Sequence, residues 1–198
     1  MDGYERRTRI KKQLIEKAAF ELLNTGGIKA LRIKDVAEKA GTSPVSIYNY
    51  YGSKEKLLYE VMRGFYEGQL QKMKDLVKNE EPFIEELNDS FLQKPSDTNL
   101  LRKDIMEEIL KSNNELNTLV KEYQQQTIPI FLEWIEKGRK QGYVKQGVSN
   151  ELIFYYYTMM AFSMENLYKQ LADRPDVELL FQQLKHMFFY GFIKEPGK

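Results

Sequence analysis

The chain of 198 residues has no cysteine and one histidine, His186. Thiolate nucleophiles, disulfides, Cys/His zinc sites and histidine triads are closed to it, so the expectation is a protein that is not an enzyme, with no metal and no cofactor. Paired acids such as Glu107 and Glu108 are adjacent on a helix, where side chains point about 100° apart and do not converge. Long apolar runs are scarce as well. The longest, "LIFYYYTMMAFSM" at 152–164, contains Thr158 and Ser163 and stops at Glu165, too short and too polar to span a bilayer. The first residues, "MDGYERRTRIKKQ", are polar throughout and offer no signal-peptide core, so a soluble, cytoplasmic protein without membrane contact is expected. Net charge is nearly absent at +1, but residues 1–56 hold 12 Lys/Arg against 7 Asp/Glu while residues 57–198 hold 18 against 22. One basic end and one acidic remainder suggest that the first part meets a polyanion.

What is present is helical periodicity. A hydrophobic fraction of 42% with 30% charged residues suits a folded globular chain. Ile10, Leu14, Ala18 and Leu22, with Ile15, Ala19 and Leu23 beside them, make one apolar stripe that ends at "TGG", where Gly26 or Gly27 suits a left-handed cap. Ile33, Val36, Ala37 and Ala40 follow as a two-turn helix stopped by Gly41. Ser43 then offers a capping hydroxyl and Pro44 sits at a first helical position, which predicts a third helix over 44–51, closed by Gly52. Ser53 can cap a fourth helix with the stripe Leu57, Leu58, Val61, Met62, Phe65, Leu70, Met73 and Val77. Further helical segments near 82–93, 99–111, 114–141, 149–172 and 176–193 are separated by clusters of glycine, proline or asparagine, and no stretch alternates with period two long enough to be a strand. The fold class predicted is all-α with about nine helices.

Two short helices joined by a tight turn at Gly41, behind a longer supporting helix, form the helix-turn-helix pattern, whose second helix enters the major groove of DNA. With the amphipathic first helix, "ALRIKDVAEKAGTSPVSIYNYYGSKEKLLYEVM" at 30–62 and the all-helical remainder, the sequence resembles the TetR family of bacterial transcriptional regulators. The most specific part is "IYNYY" followed by "SKEKL". The resemblance implies an N-terminal three-helix DNA-binding domain, residues 1–56, and a C-terminal helical domain for ligand binding and dimerisation, residues 57–198. It also implies a homodimer that binds a palindromic operator on double-stranded DNA, usually as a repressor, and is released by a small apolar or amphipathic effector. The alternative is a TetR-like protein whose C-terminal domain binds a protein partner instead.

The resemblance puts Tyr51 where the family has a buried aromatic, and Tyr48 and Tyr50 where rings lie against the DNA backbone. A phenol can donate to a phosphate oxygen while its ring covers the sugar, which positions without specifying sequence. Base reading falls to exposed side chains at the start of the third helix: Thr42, Ser43, Pro44, Val45, Ser46 and Asn49. Asn49 can make a bidentate contact to adenine, while Pro44 and Val45 suit a thymine methyl. Lys34 corresponds to a family position that can reach a base, and Arg32 is expected to grip phosphate. Lys54 lies at the start of the fourth helix, where N–H groups and the dipole favour an anion. One departure is that the family's usual threonine or serine cap of the second helix is replaced by Arg32 or Ile33. "RRTRIKK" at 6–12 is a candidate disordered basic arm.

For the C-terminal domain, the resemblance implies a pocket, and the large side chains expected to enclose it are Phe65, Met106, Tyr123, Phe131, Trp134, Tyr155, Met159 and Phe162. Eight methionines and an aromatic fraction of 13% suit an adaptable apolar cavity, and Pro129 inside the seventh helix is expected to kink it. In the family the last two helices pair with their mates in a four-helix bundle, which places the dimer interface on Val177, Leu180, Phe181, Leu184 and Phe188. His186 reads as a polar residue at that interface.

Overall fold

A computed structural model describes residues 3–92, 101, 103–111, 115–171 and 174–193; within these helices the side chains of Phe162 and Phe188 lie outside those described. The expected breaks at 94–99 and 112–114 also lie outside the described residues. Among the described residues the elements run α1 (Gly3–Ala30), α2 (Ile33–Lys39), α3 (Pro44–Tyr51), α4 (Lys54–Lys78), α5 (Phe83–Leu92), α6 (Lys103–Lys111), α7 (Glu115–Lys140), α8 (Asn150–Leu171) and α9 (Val177–Phe192). Among the described residues the one extended pairing is an isolated antiparallel bridge between Val144 and Ile193. The fold is all-α.

By contact the chain divides into two compact units, Met1–Gln69 with Leu101–Tyr123, and Leu70–Leu100 with Gln124–Lys198. The boundary expected after residue 56 falls within the first turn of α4. In the first unit, α1 presents Ile15, Ala18, Ala19 and Leu23 to Val36 and Ala37 of α2, Ile47 and Tyr51 of α3, and Leu57 and Met62 of α4. Ile105 and Ile109 of α6 and Leu119 and Val120 of α7 extend the same core. Each Leu, Ile or Val fully buried here stabilises by about 1.5–3 kcal/mol, which holds α3 in place although it has only 8 residues. The apolar stripe of α1 is not all core. Ile10 and Leu14 are 44% and 51% exposed. Periodicity gives the face of a helix but not how other helices pack against it. At Gly27 the backbone takes φ 77°, breaking the helical path of α1 before it resumes to Ala30, which matches the glycine stop expected there.

The second unit is built around Phe83, Leu87, Phe131, Trp134, Ile135, Val144, Ile153 and Ile193. Phe83 lies directly on the backbone of Gly138, where a Cβ would come within 2.6 Å of its ring. Glu86 is buried in this unit and accepts from the Trp134 indole at 2.8 Å and the Lys137 ammonium at 2.7 Å. The same ammonium donates to the carbonyls of Leu76 and Asn79 and to Asn79 Oδ1, supplying partners to the C-terminal end of α4. Arg139 gathers the α7–α8 connection, donating to the carbonyls of Lys145 and Val148 and to Asn150 Oδ1. Pro129 lies inside α7, which runs on past it to Lys140. No helix among the described residues is long and apolar enough to cross a membrane.

Candidate nucleic-acid interface

The turn between α2 and α3 is closed by backbone bonds that only a glycine makes easily. Gly41 sits at φ 63°, its N–H reaches the Glu38 carbonyl at 3.2 Å, and the Thr42 N–H reaches the Ala37 carbonyl at 2.9 Å. This pair of bonds is the Schellman ending of a helix, and it sends the chain into α3 at a defined angle. Ser43 then caps α3, its hydroxyl accepting from the Ser46 N–H at 3.1 Å and bonding the Ser46 hydroxyl at 2.9 Å. Pro44 occupies the first turn, where its missing N–H leaves no bond unmade. At the other end Gly52, at φ 78°, donates to the Tyr48 carbonyl at 2.8 Å.

α3 has two faces. Ile47 and Tyr51 point inward, at 1% and 7% exposure. Tyr51 is fixed further by its hydroxyl, which donates to Glu16 Oε1 at 2.9 Å and to the Lys12 carbonyl at 3.3 Å, while the Lys12 ammonium stands 5.4 Å from the centre of its ring. Burial, with Glu16 beside it, pushes this phenol far above its ordinary pKa, so it remains a neutral donor. The opposite face carries Ser43, Pro44, Val45, Tyr48 and Asn49, all exposed, with Val45 and Tyr48 at 67% and 50%. Thr42 and Ser46 are half-buried beside them. Tyr50 is also half-buried, meets Tyr51 edge-on at 6.5 Å and packs against the core.

The basic residues differ in their surroundings. Lys34 is exposed. Arg32 precedes α2 without a side-chain cap and pairs with Asp35 at 3.4 Å across a well-exposed gap, a weak attachment that a stronger anion can displace. Lys54 is half-buried and donates to the Ile28 carbonyl at 3.2 Å, which ties the start of α4 to the end of α1 and leaves two of its three protons for other acceptors. Behind the surface, Lys39 and Glu21 pair at 2.9 Å and join α2 to α1; this hydrogen bond holds the Glu21 carboxyl below the usual carboxylate range. Thr8 and Lys12 were named only within the basic run at 6–12, and Tyr4 and Glu16 were not named. All four recur every four residues along α1, and that polar ladder was the available signal.

The eight expected pocket residues fall into separate groups. Phe65, Met106 and Tyr123 belong to the first unit and surround Tyr66, which stacks on Tyr123 at 5.6 Å, meets Phe65 at 5.1 Å and donates its hydroxyl to Met106 Sδ at 3.2 Å. Tyr66 was not anticipated; its phenol is pushed well up by burial. Phe131 and Trp134 belong to the core of the second unit, Phe131 lying 4.8 Å from the Tyr157 ring and 5.5 Å from Phe154. Tyr155 and Met159 are 59% and 57% exposed, and the Phe162 side chain lies outside those described. Of the expected dimer residues, Val177, Leu180, Phe181 and Leu184 are half-buried and the Phe188 side chain is outside those described. Among the described side chains of α8 and α9, the strongly exposed apolar ones are Leu152, Tyr155 and Met159 on α8, at i, i+3 and i+7, and Leu179 and Met187 on α9.

Residues 15–61 match the family model described as bacterial regulatory proteins, tetR family, and the match spans α1 from its first core residue, both helices of the turn and the start of α4. Over these residues the chain is similar to the DNA-binding segment of the TetR family. Among curated relatives, the HTH-type transcriptional repressor KstR2 of Mycobacterium tuberculosis strain H37Rv is 30% identical over 80 residues. That alignment spans 40% of this chain and 40% of the relative's length. Solved structures share the fold over most of the chain. The regulator FadR from Bacillus subtilis, in complex with stearoyl-CoA, has a TM-score of 0.65 at 20% identity, covering 90% of this chain and 98% of the other. A transcriptional regulator from Saccharomonospora viridis, in complex with choline, has a TM-score of 0.71 at 20% identity, covering 93% and 98%.

Proposed function

We propose that the protein is a DNA-binding transcriptional repressor that works as a homodimer, reads a palindromic operator with α3, and is released by a small apolar or amphipathic effector. The observation that carries this reading is the two-sided construction of α3. One face is locked by Ile47 and Tyr51, and the other offers Pro44, Val45, Tyr48 and Asn49 to a partner. The exposed set combines apolar contacts for thymine methyls, an amide for adenine and a phenol for phosphate, which is the mixture a major-groove surface needs. Because several of these side chains are small or apolar, sequence preference rests substantially on Lys34 and on DNA shape.

These structural neighbours hold ligands as different as stearoyl-CoA and choline on one fold, so an effector here is supported in kind but not in chemistry. For the homodimer, the exposed apolar side chains of α8 and α9 are the natural meeting face. Leu152, Tyr155 and Met159 line one stripe of α8, and Leu179 and Met187 add apolar surface on α9. The expected residues Val177, Leu180, Phe181 and Leu184 then serve to pack α9 beneath that face. Light scattering after size-exclusion chromatography, on the wild type and on Met159→Asp, tests the pairing. A dimer that the substitution converts to a monomer is expected; a monomeric wild type contradicts it. Selection of bound fragments from the source genome tests the repressor reading, with an inverted repeat expected upstream of a gene and no enrichment over competitor DNA contradicting it.

A further inference from the structure

Beside the exposed face of α3 lies a recess of about 460 Å³ that the helix-turn-helix pattern does not account for. One wall is Tyr4, Thr8 and Lys12, stacked at i, i+4 and i+8 on a single face of α1, and the other is Ser46, Asn49 and Tyr50 of α3. All six side chains carry hydrogen-bond donors, one is a cation, and none is acidic. The segment at 6–12, a candidate disordered arm by sequence, is helical, and Thr8 and Lys12 within it line this wall with Tyr4. We infer that the recess between the first turns of α1 and α3 seats a sugar-phosphate segment of bound DNA, with Lys12, Thr8 and Tyr4 as phosphate contacts in addition to those of α3.

Three features favour a DNA strand as occupant. The recess shares Ser46 and Asn49 with the helix that faces the groove, so a backbone lying along α3 passes into it. Its donors suit the acceptor oxygens of a phosphodiester, and the tyrosine rings suit the apolar edge of deoxyribose. It is also rigid where it matters: the Tyr51 hydroxyl bonds the Lys12 carbonyl and its ring carries the Lys12 ammonium, so the α1 wall is fixed to α3 before DNA arrives. Exposed Arg6, Arg7 and Arg9 on the same turns add long-range attraction to a polyanion.

This inference rests on the DNA-binding reading above, and the experiment separates the two. Operator binding is measured by fluorescence anisotropy across a salt series for the wild type, Lys12→Gln, Thr8→Val and, as a reading-face control, Lys34→Gln; circular dichroism melting checks folding. Lys12→Gln is expected to bind about tenfold more weakly at moderate salt and to flatten the slope of log K against log salt by about 0.9, the loss of one phosphate contact. Thr8→Val, which keeps shape and charge, is expected to weaken binding several-fold with the slope unchanged, and hydroxyl-radical footprints of both variants lose protection at the same sugars. If the wild type binds no DNA, the functional reading itself fails. If it binds and Lys34→Gln weakens it while Lys12→Gln and Thr8→Val match the wild type in affinity, slope and footprint, the recess proposal alone is overturned. A recess that takes up inorganic phosphate while those variants leave DNA binding intact likewise overturns it in favour of a small-anion site.

Discussion

Removing Lys137 should damage the protein more than removing Glu86, although each substitution breaks the same ion pair. The Glu86 side chain is fully buried and that of Lys137 is 14% exposed, with 2.7 Å between their charged atoms. In Lys137→Met the carboxylate keeps the Trp134 indole as its partner among the described residues and loses its counter-charge. Leaving a buried charge uncompensated costs about 3–5 kcal/mol. The carbonyls of Leu76 and Asn79 lose their donor as well. In Glu86→Gln the amide oxygen still accepts from Trp134, and the ammonium keeps the oxygens of Leu76 and Asn79. That change costs about 1.5–3 kcal/mol, the value of a hydrogen bond to a charged group. The double variant Glu86→Leu/Lys137→Met removes both charges and should be less destabilised than Lys137→Met alone. Urea unfolding followed by circular dichroism gives the three free energies, and the fluorescence of Trp134, the single tryptophan, reports on the same site. A cost for Lys137→Met equal to or below that of Glu86→Gln would refute the reasoning, because it would mean that the carboxylate does not need its counter-charge.

Other consequences follow from contacts of the same kind. Gly138→Ala puts a Cβ within 2.6 Å of the Phe83 ring and should cost about 1–3 kcal/mol, a fall in Tm of several degrees by calorimetry; an unchanged Tm would mean that the ring moves freely. The Tyr51 and Tyr66 phenols have pKa values raised by burial, so the folded state holds protons that the unfolded chain gives up from about pH 10. Their contribution to stability is complete below that pH and is lost as pH rises above it. In an ultraviolet titration Tyr51 and Tyr66 should ionise only on unfolding, as should Tyr157, whose phenol burial also pushes up, and Tyr66→Phe should flatten the alkaline loss of stability; ionisation of all 13 tyrosines before unfolding would contradict this.

How much was legible in the sequence depended on whether the governing interaction was local. α3 was readable to the residue because its limits are set by Ser43, Pro44 and Gly52, neighbours in the chain whose backbone preferences are strong. The burial of Ile47 and Tyr51 followed from their spacing of four. The α1 stripe was readable as a face, but the exposure of Ile10 and Leu14 depended on how other helices pack against α1, which no spacing within α1 records. Phe65 and Phe131 look alike in sequence and lie in different units, because assigning a large side chain to one core or another is decided by helix packing. Glu86 and Lys137 are 51 positions apart, and Tyr66 and Met106 are 40 apart; such pairs leave no periodic trace. Tyr4, Thr8 and Lys12 did leave one, a polar ladder with a period of four, and it was passed over because the neighbouring arginines made the segment resemble a loose basic arm.

The central claim is that the exposed face of α3 lies against DNA. Val45 stands in the middle of that face at 67% exposure, and it is not among the residues that pack against the core. Val45→Glu therefore places a negative charge on the surface without disturbing the fold, and against a phosphate-lined groove it should repel. Anisotropy titration of the selected operator with this variant, alongside its melting curve, is the most direct test. The expected result is an unchanged Tm with operator binding reduced at least a hundredfold, about 2.7 kcal/mol. A folded Val45→Glu protein that binds the operator as the wild type does would contradict the account.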